Sequence, residues 1–151
     1  MLSANHTITT IMVCAGREPT SRLRYLQSVQ AFSGVQINGS STPASEVPLN
    51  MIGSRYNDST CYNISLYQTF SGYFNKGPDV TVWSRLSNIF SYRNSTHMAG
   101  IEFWFDWKTD TLKDYWGTSS WVGVSSSSEG SGFNSSSTYL GSDYITGVVY
   151  P

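Results

Sequence analysis

Charge is scarce in this sequence, and so are histidine and cysteine. Nine Lys or Arg residues stand against ten Asp or Glu, 13% of the chain, leaving a net charge of −1. With no basic stripe among them, a nucleic-acid partner is not expected. The two histidines, His6 and His97, and the two cysteines, Cys14 and Cys61, form no cluster at metal-ligand spacing. No Ser-His-Asp arrangement emerges either, so neither metal, cofactor nor catalytic residue is expected. No apolar run approaches the roughly twenty residues of a membrane span, and no stretch keeps a helical period. Met1 to His6 has no basic start leading into an apolar stretch, so no signal peptide is expected there. Mature or excised segments lack one as well.

What fills the chain instead is aromatic and small polar. Aromatics make up 15% of it, and Ser, Thr, Gly and Asn dominate the rest. β-Branched and aromatic residues fit pleated, half-buried surfaces, while Gly, Asn and Ser serve turns. This mixture predicts many short strands and many loops, in one domain spanning 1–151 by the usual size prior. It is also the palette of recognition surfaces, where Tyr and Trp give rigid contact area and Ser or Asn give adaptable hydrogen bonds. Six of the nine asparagines stand in Asn-x-Ser/Thr patterns: Asn5, Asn38, Asn57, Asn63, Asn94 and Asn134. That is more than chance supplies, and it points to a secreted glycoprotein rather than a cytoplasmic chain. Cys14 and Cys61 read equally well as one disulfide or as two buried thiols.

Three segments align: 8–27, 49–68 and 86–105. The second and third match at a constant offset, pairing Leu49 with Leu86, Ile52 with Ile89, Asn57 with Asn94, and Ile64 with Ile101. The first and second pair Ile11 with Ile52 and Gln27 with Gln68. Each reads as strand, polar loop, strand. The clearest alternation puts Ile101, Phe103, Phe105 and Trp107 on one face and Glu102, Trp104 and Asp106 on the other. Turn-rich stretches follow at 34–45, 72–78 and 125–138, the last a Ser/Gly-rich segment expected to be a mobile loop. Residues 140–149 echo 2–12. The expected fold is all-β, with three four-stranded units about a pseudo-threefold axis, as a β-prism or alternatively a β-trefoil.

The stretch ITTIMVCAG with SRLRYLQSVQAFSGVQINGSST, then VPLNMIGSRYNDS, resembles the second half of jacalin-related lectins of the fungal type. RLSNIFSYRNSTHMAGIEFWF and YITGVV resemble the first half of that family. The halves stand in permuted order and together cover most of the chain. The resemblance implies a β-prism that binds mannose- or galactose-type glycans at loops on one end. The family's Gly-Gly loop is reduced here to Asn75-Lys76-Gly77-Pro78, and Asn63 stands near the place of the family's closing Asp.

A sugar site needs amides or carboxylates that pair with adjacent hydroxyls, backbone N–H groups, and an aromatic face. Arg55, Tyr56, Asn57, Asp58 and Ser59 hold these within one loop, and Tyr92, Arg93, Asn94, Ser95, Thr96 and His97 are the repeat counterpart. The expected sugar contacts are Tyr56, Asn57, Asp58, Asn63, Gly77, Arg93 and Asn94. Trp83, Trp104, Trp107, Trp116 and Trp121 are candidate stacking rings, although core packing is the commoner fate of such residues. Glu102 and Asp106 share a face, but four residues of strand separate them by about 13 Å, more than the roughly 5–9.5 Å of a glycosidase pair. The expectation is a non-catalytic lectin domain. Its rivals are a β-prism interaction module that has lost sugar binding and, behind it, a glycoside hydrolase. The echoing terminal strands predict a homo-oligomer, one copy adding to a neighbouring sheet.

Overall fold

A computed structural model describes residues 6–17, 24–55, 58–70, 78–93, 98–108, 114–119, 122–123 and 134–139. Among them the regular structure is entirely β: β1 (Thr7–Arg17), β2 (Arg24–Val35), β3 (Ala44–Pro48), β4 (Ile52–Gly53), β5 (Thr60–Ser65), β6 (Tyr67–Phe70), β7 (Val80–Trp83), β8 (Arg85–Arg93), β9 (Met98–Lys108), β10 (Asp114–Thr118), β11 (Val122–Gly123) and β12 (Asn134–Tyr139). The first sheet runs β3-β2-β1-β5, with β4 also on β2. The second runs β10-β9-β8-β12, with β11 also on β9. In each, three strands follow one another and a later one returns beside the first, the Greek-key order. The hairpin β6–β7 forms a third, two-stranded sheet between them in sequence.

The two larger sheets repeat each other down to their irregularities. Ile8 pairs with Ser33 and Thr10 with Phe32, leaving Thr9 as an extra residue on β1; Leu86 pairs with Phe105 and Asn88 with Trp104, leaving Ser87 extra on β8. Each bulged hydroxyl is used in the same way: Thr9 Oγ1 donates to the Phe32 carbonyl and Ser87 Oγ to that of Trp104, both at 3.3 Å. A second bulge leaves Gln27 unopposed on β2 and Ala99 unopposed on β9. Over each of these lies a glycine in the left-handed region, Gly53 at φ 85° and Gly123 at φ 88°. A Cβ on either would run into the bulge carbonyl, that of Gln27 or of Ala99, so both the backbone twist and the close approach require glycine.

One core joins all three sheets. Ile8, Ile11, Val13 and Ile64 come from the first, Phe70 and Trp83 from the hairpin, and Leu86, Ile101, Phe103, Phe105 and Val122 from the second. Phe70, Phe103 and Phe105 are fully buried, each burying on the order of 150–250 Å². The chain crosses between sheets at two residues. Leu66 N donates to the Thr9 carbonyl, and the Leu66 carbonyl accepts from both the N–H and the hydroxyl of Ser84. Buried Trp83 ties the hairpin to the first sheet by donating Nε1 to the carbonyls of Ile37 and Ser40, at 3.0 and 2.9 Å.

The all-β reading holds, and residues 8–15 correspond to 86–93 as aligned. The returning strands do not, since the register matches Gln27 with Ala99 and not with Phe105, six residues from the aligned position. The middle segment, 49–68, is not a hairpin. Its two strands belong to different pairings: β4 lies on β2, and β5 lies on β1. Residues 134–138, read as part of a loop, form most of β12, which satisfies the open backbone edge of β8. Residues 7–12 of the echoing N-terminal segment lie within β1, a central strand paired on both sides over Thr10–Ala15. The segment 140–149 lies outside the described residues. No helix among the described residues is long and apolar enough to cross a membrane.

Candidate functional site at the tip of the first sheet

The tip of the β1–β2 hairpin collects polar groups around a glycine. Gly16, near the end of β1, is buried, and a Cβ placed on it would meet Gln27 Nε2 at 2.5 Å and the carbonyl oxygen and Oδ1 of Asp58 at 3.2 Å. Gln27 reaches this spot because it is the bulge residue: the extra residue in β2 re-aims its side chain. Ser59 Oγ donates to Gln27 Oε1, which orients the amide and turns its nitrogen toward Gly16. The Gln27 carbonyl accepts from Ser54 N at 3.1 Å, so the loop from Gly53 to Ser59 is anchored to the bulge at one end and to β5 at the other.

A disulfide between Cys14 and Cys61 holds that loop from below. The two cysteines are direct cross-strand partners on β1 and β5, one pair before the strand runs into the loop. Arg55 Nη1 lies 3.8 Å from Cys61 Sγ, which draws the exposed guanidinium back onto the sheet. Asp58 is exposed. The cluster therefore presents the Asp58 carboxylate, a group that matches the vicinal hydroxyls of a polyol, with the Gln27 amide nitrogen buried beneath it over Gly16.

Of the expected sugar contacts, Asp58 is in this cluster. Asn63 is not: it pairs with Met12 and is exposed on the outward face of the first sheet. Arg93 ends β8, half-buried, at the hairpin tip of the second sheet. Tyr56, Asn57, Gly77 and Asn94 lie outside the described residues. Gly16 and Gln27 went unread as site residues. The sequence carried no signal for them, since Gln27 aligned with Gln68 of β6 while its counterpart in the second sheet is Ala99, and a bulge cannot be seen in residue order. Among the glycosylation candidates, Asn38 is exposed in the Ile37–Ser40 turn and Asn63 is exposed on β5. Asn134 begins β12, and Asn5 lies outside the described residues.

The tryptophans divide. Trp83 is core, Trp107 packs against the core, and Trp104 is half-buried on the outward face of β9. Trp116 pairs with Asp106 in register, and Trp121 lies outside the described residues. The carboxylates of β9 are each engaged. Asp106 accepts a forked bond from Arg85, 2.7 Å from Nε and 3.3 Å from Nη2, and Glu102 accepts from Trp104 Nε1 at 2.7 Å. Among the described residues, no three His, Cys, Asp or Glu side chains gather as metal ligands would. A cleft of about 10 Å³ between Ile8 and Leu86 has room for no more than a water.

Against known proteins, the chain matches no family model, no curated protein and no solved structure.

Proposed function

We propose that this chain is a non-catalytic carbohydrate-binding domain, of the β-prism type found in jacalin-related lectins, that holds a mannose- or galactose-type sugar at the tip of its first sheet. The observation that carries this is the convergence of Asp58, Gln27 and Ser59 over Gly16. Gln27 and Asp58 close over the glycine, and the exposed Asp58 carboxylate is the group that pairs with adjacent hydroxyls. Two Greek-key sheets and a hairpin around one core support the prism over the trefoil. The disulfide and the exposed Asn38 sequon support an oxidising, secretory setting. The same reading includes a homo-oligomer, in which several weak sites act together.

The test is Asp58→Ala, assayed with mannose and galactose. A hydrogen bond to a charged group contributes about 1.5–3 kcal/mol, so affinity should fall tenfold or more while the melting temperature stays put, because Asp58 is exposed. Unchanged affinity rejects the site. The position of Asn63 on the sheet face, away from the loop, favours one rival, a β-prism interaction module without sugar binding. Wild-type protein that binds neither sugar in that assay would support the rival.

A further inference from the structure

We infer that the outer edge of β5 is a pairing surface for a second copy of this chain, which adds its own β5 antiparallel across a twofold axis at Asn63. This gives the homo-oligomer of the proposed function a surface, and it does not rest on sugar binding. β5 is the last strand of the first sheet, paired with β1 on one side only among the described residues. Thr60 to Asn63 are all exposed, Tyr62 by 43%.

Two contacts fix which backbone groups face the open edge. Leu66 N donates to the Thr9 carbonyl, the next pair along the β1–β5 register, so Ile64 and Tyr62 also turn their backbone groups to β1. The residues between them turn theirs away. The Cα atoms of Cys14 and Cys61 are 4.0 Å apart, the close spacing of a pair that exchanges no backbone bonds. Cys61, Asn63 and Ser65 therefore aim N–H and C=O at the open edge, where Gln68 Nε2 already donates to the Ser65 carbonyl.

Such an edge is a template for a further strand, and this one fits itself. With Asn63 on the axis, its N–H and C=O meet those of the second copy's Asn63. Ser65 N–H reaches the Cys61 carbonyl of the second copy, and the reverse. Tyr62 then stands directly opposite Ile64 of the second copy, an aromatic and β-branched pair of the kind that stabilises sheets. The other edge of the sheet is guarded. β3 carries Glu46, Pro48 and a left-handed Ser45 at φ 55°, the charge, proline and irregularity that discourage strand addition. β5 has no charge and no proline, and it pairs with β1 without a bulge. An uncharged strand meets its own copy without repulsion, as an isologous contact requires. Its counterpart β12 is uncharged too, but Asn134 to Thr138 offer no apolar side chain to pack across a new pair. Antiparallel pairing sends the two Asp58 loops to opposite ends, roughly 30 Å apart along the strands. On the sugar reading, the dimer then bridges two glycans rather than gripping one.

One strand a side is well below a standard interface, so the dimer is weak, with a Kd of about 0.1 mM. The test is sedimentation of the unglycosylated chain from about 10 µM to about 1 mM, because a glycan on Asn63 would stand on the axis. The average mass should rise toward twice the monomer's. The amides of Cys61, Asn63 and Ser65 should shift with concentration in NMR spectra, while those of Glu46 and Val47 on β3 stay still. Asn63→Lys sets like charges face to face and should weaken dimerisation about tenfold or more. Asn63→Pro removes an outward N–H without touching the bonds to β1 and should do the same; if it fails to fold, Asn63→Lys decides. A monomer at every concentration overturns the proposal, as does a dimer unaffected by Asn63→Lys or one whose shifts fall on β3. So does protection of the Cys61, Asn63 and Ser65 amides from exchange in dilute protein, which would place another segment of this chain on that edge. None of these results alters the expected sugar titration at Asp58, so the two readings fail separately.

Discussion

Where the first sheet has Cys14, the second has Tyr92, and where the first has Gln27 on its bulge, the second has Ala99. The backbones around these pairs agree in pairing, bulge position and the left-handed glycine that covers the bulge. What differs is what each copy carries. In the first, a disulfide and a polar bulge residue build a cluster at the hairpin tip, and the sheet face is left to Thr10, Met12, Gln30 and Phe32. Thr10 donates to Glu46 Oε2 at 3.0 Å, and Thr9 shares its one hydroxyl proton between that oxygen, at 2.7 Å, and the Phe32 carbonyl. In the second, the bulge residue is a buried alanine and the face bears aromatics and carboxylates. A duplicated scaffold has thus placed its polar chemistry at an end in one copy and on a face in the other. The bulges are the parts held in common. They set which side chains can converge, and the residue standing on the bulge decides which polar groups gather there.

The comparison breaks most sharply at the disulfide, because the second copy has no counterpart. Reducing it, or replacing both cysteines by serine, frees a 47-residue separation in the unfolded chain and should cost about 2–4 kcal/mol. A thermal melt with and without reductant reads this, and an unchanged melt would mean that the first sheet does not depend on its clasp. The glycines sharpen the comparison from the other side. Gly53→Ala and Gly123→Ala should each cost roughly 1–3 kcal/mol, by similar amounts, since each residue meets the same carbonyl at the same φ. Denaturant unfolding of the pair checks this; a large loss in one and none in the other would show that the two copies are not built alike.

Much of the architecture could be read from residue order, and the particular failures have physical causes. The run from Ile101 to Trp107 alternates without a break and forms β9 as expected. Residues 8–15 and 86–93 aligned because Ile8 with Leu86 and Ile11 with Ile89 occupy matching register positions, while the returning strands are offset by six residues from the alignment because the loops between the strands differ in length. The middle segment aligned with them for a different reason. Ile52 and Ile64 also point inward, but on strands that pair with β2 and β1 and not with each other. Non-local pairing of this kind leaves no periodic mark. β4 and β11, two residues each, are too short to alternate. β12 is Ser-rich and resembles a linker until the edge of β8 gives it a partner. At the site, Asp58 was legible as an acid in a polar loop. Gly16 and Gln27 were not, because one extra residue in β2 decides where Gln27 points.

The central claim is that a sugar sits against Asp58 at the tip of the first sheet. Titrating mannose and galactose into isotopically labelled protein, past the range of about 1 mM where weak single sites saturate, tests it most directly. The backbone amides of Gly16, Asp58 and Ser59 and the side-chain amide of Gln27 should shift together along one binding curve, while the equivalent bulge at Ala99 stays still. Shifts absent from these four groups, or equal at Ala99, would contradict the account.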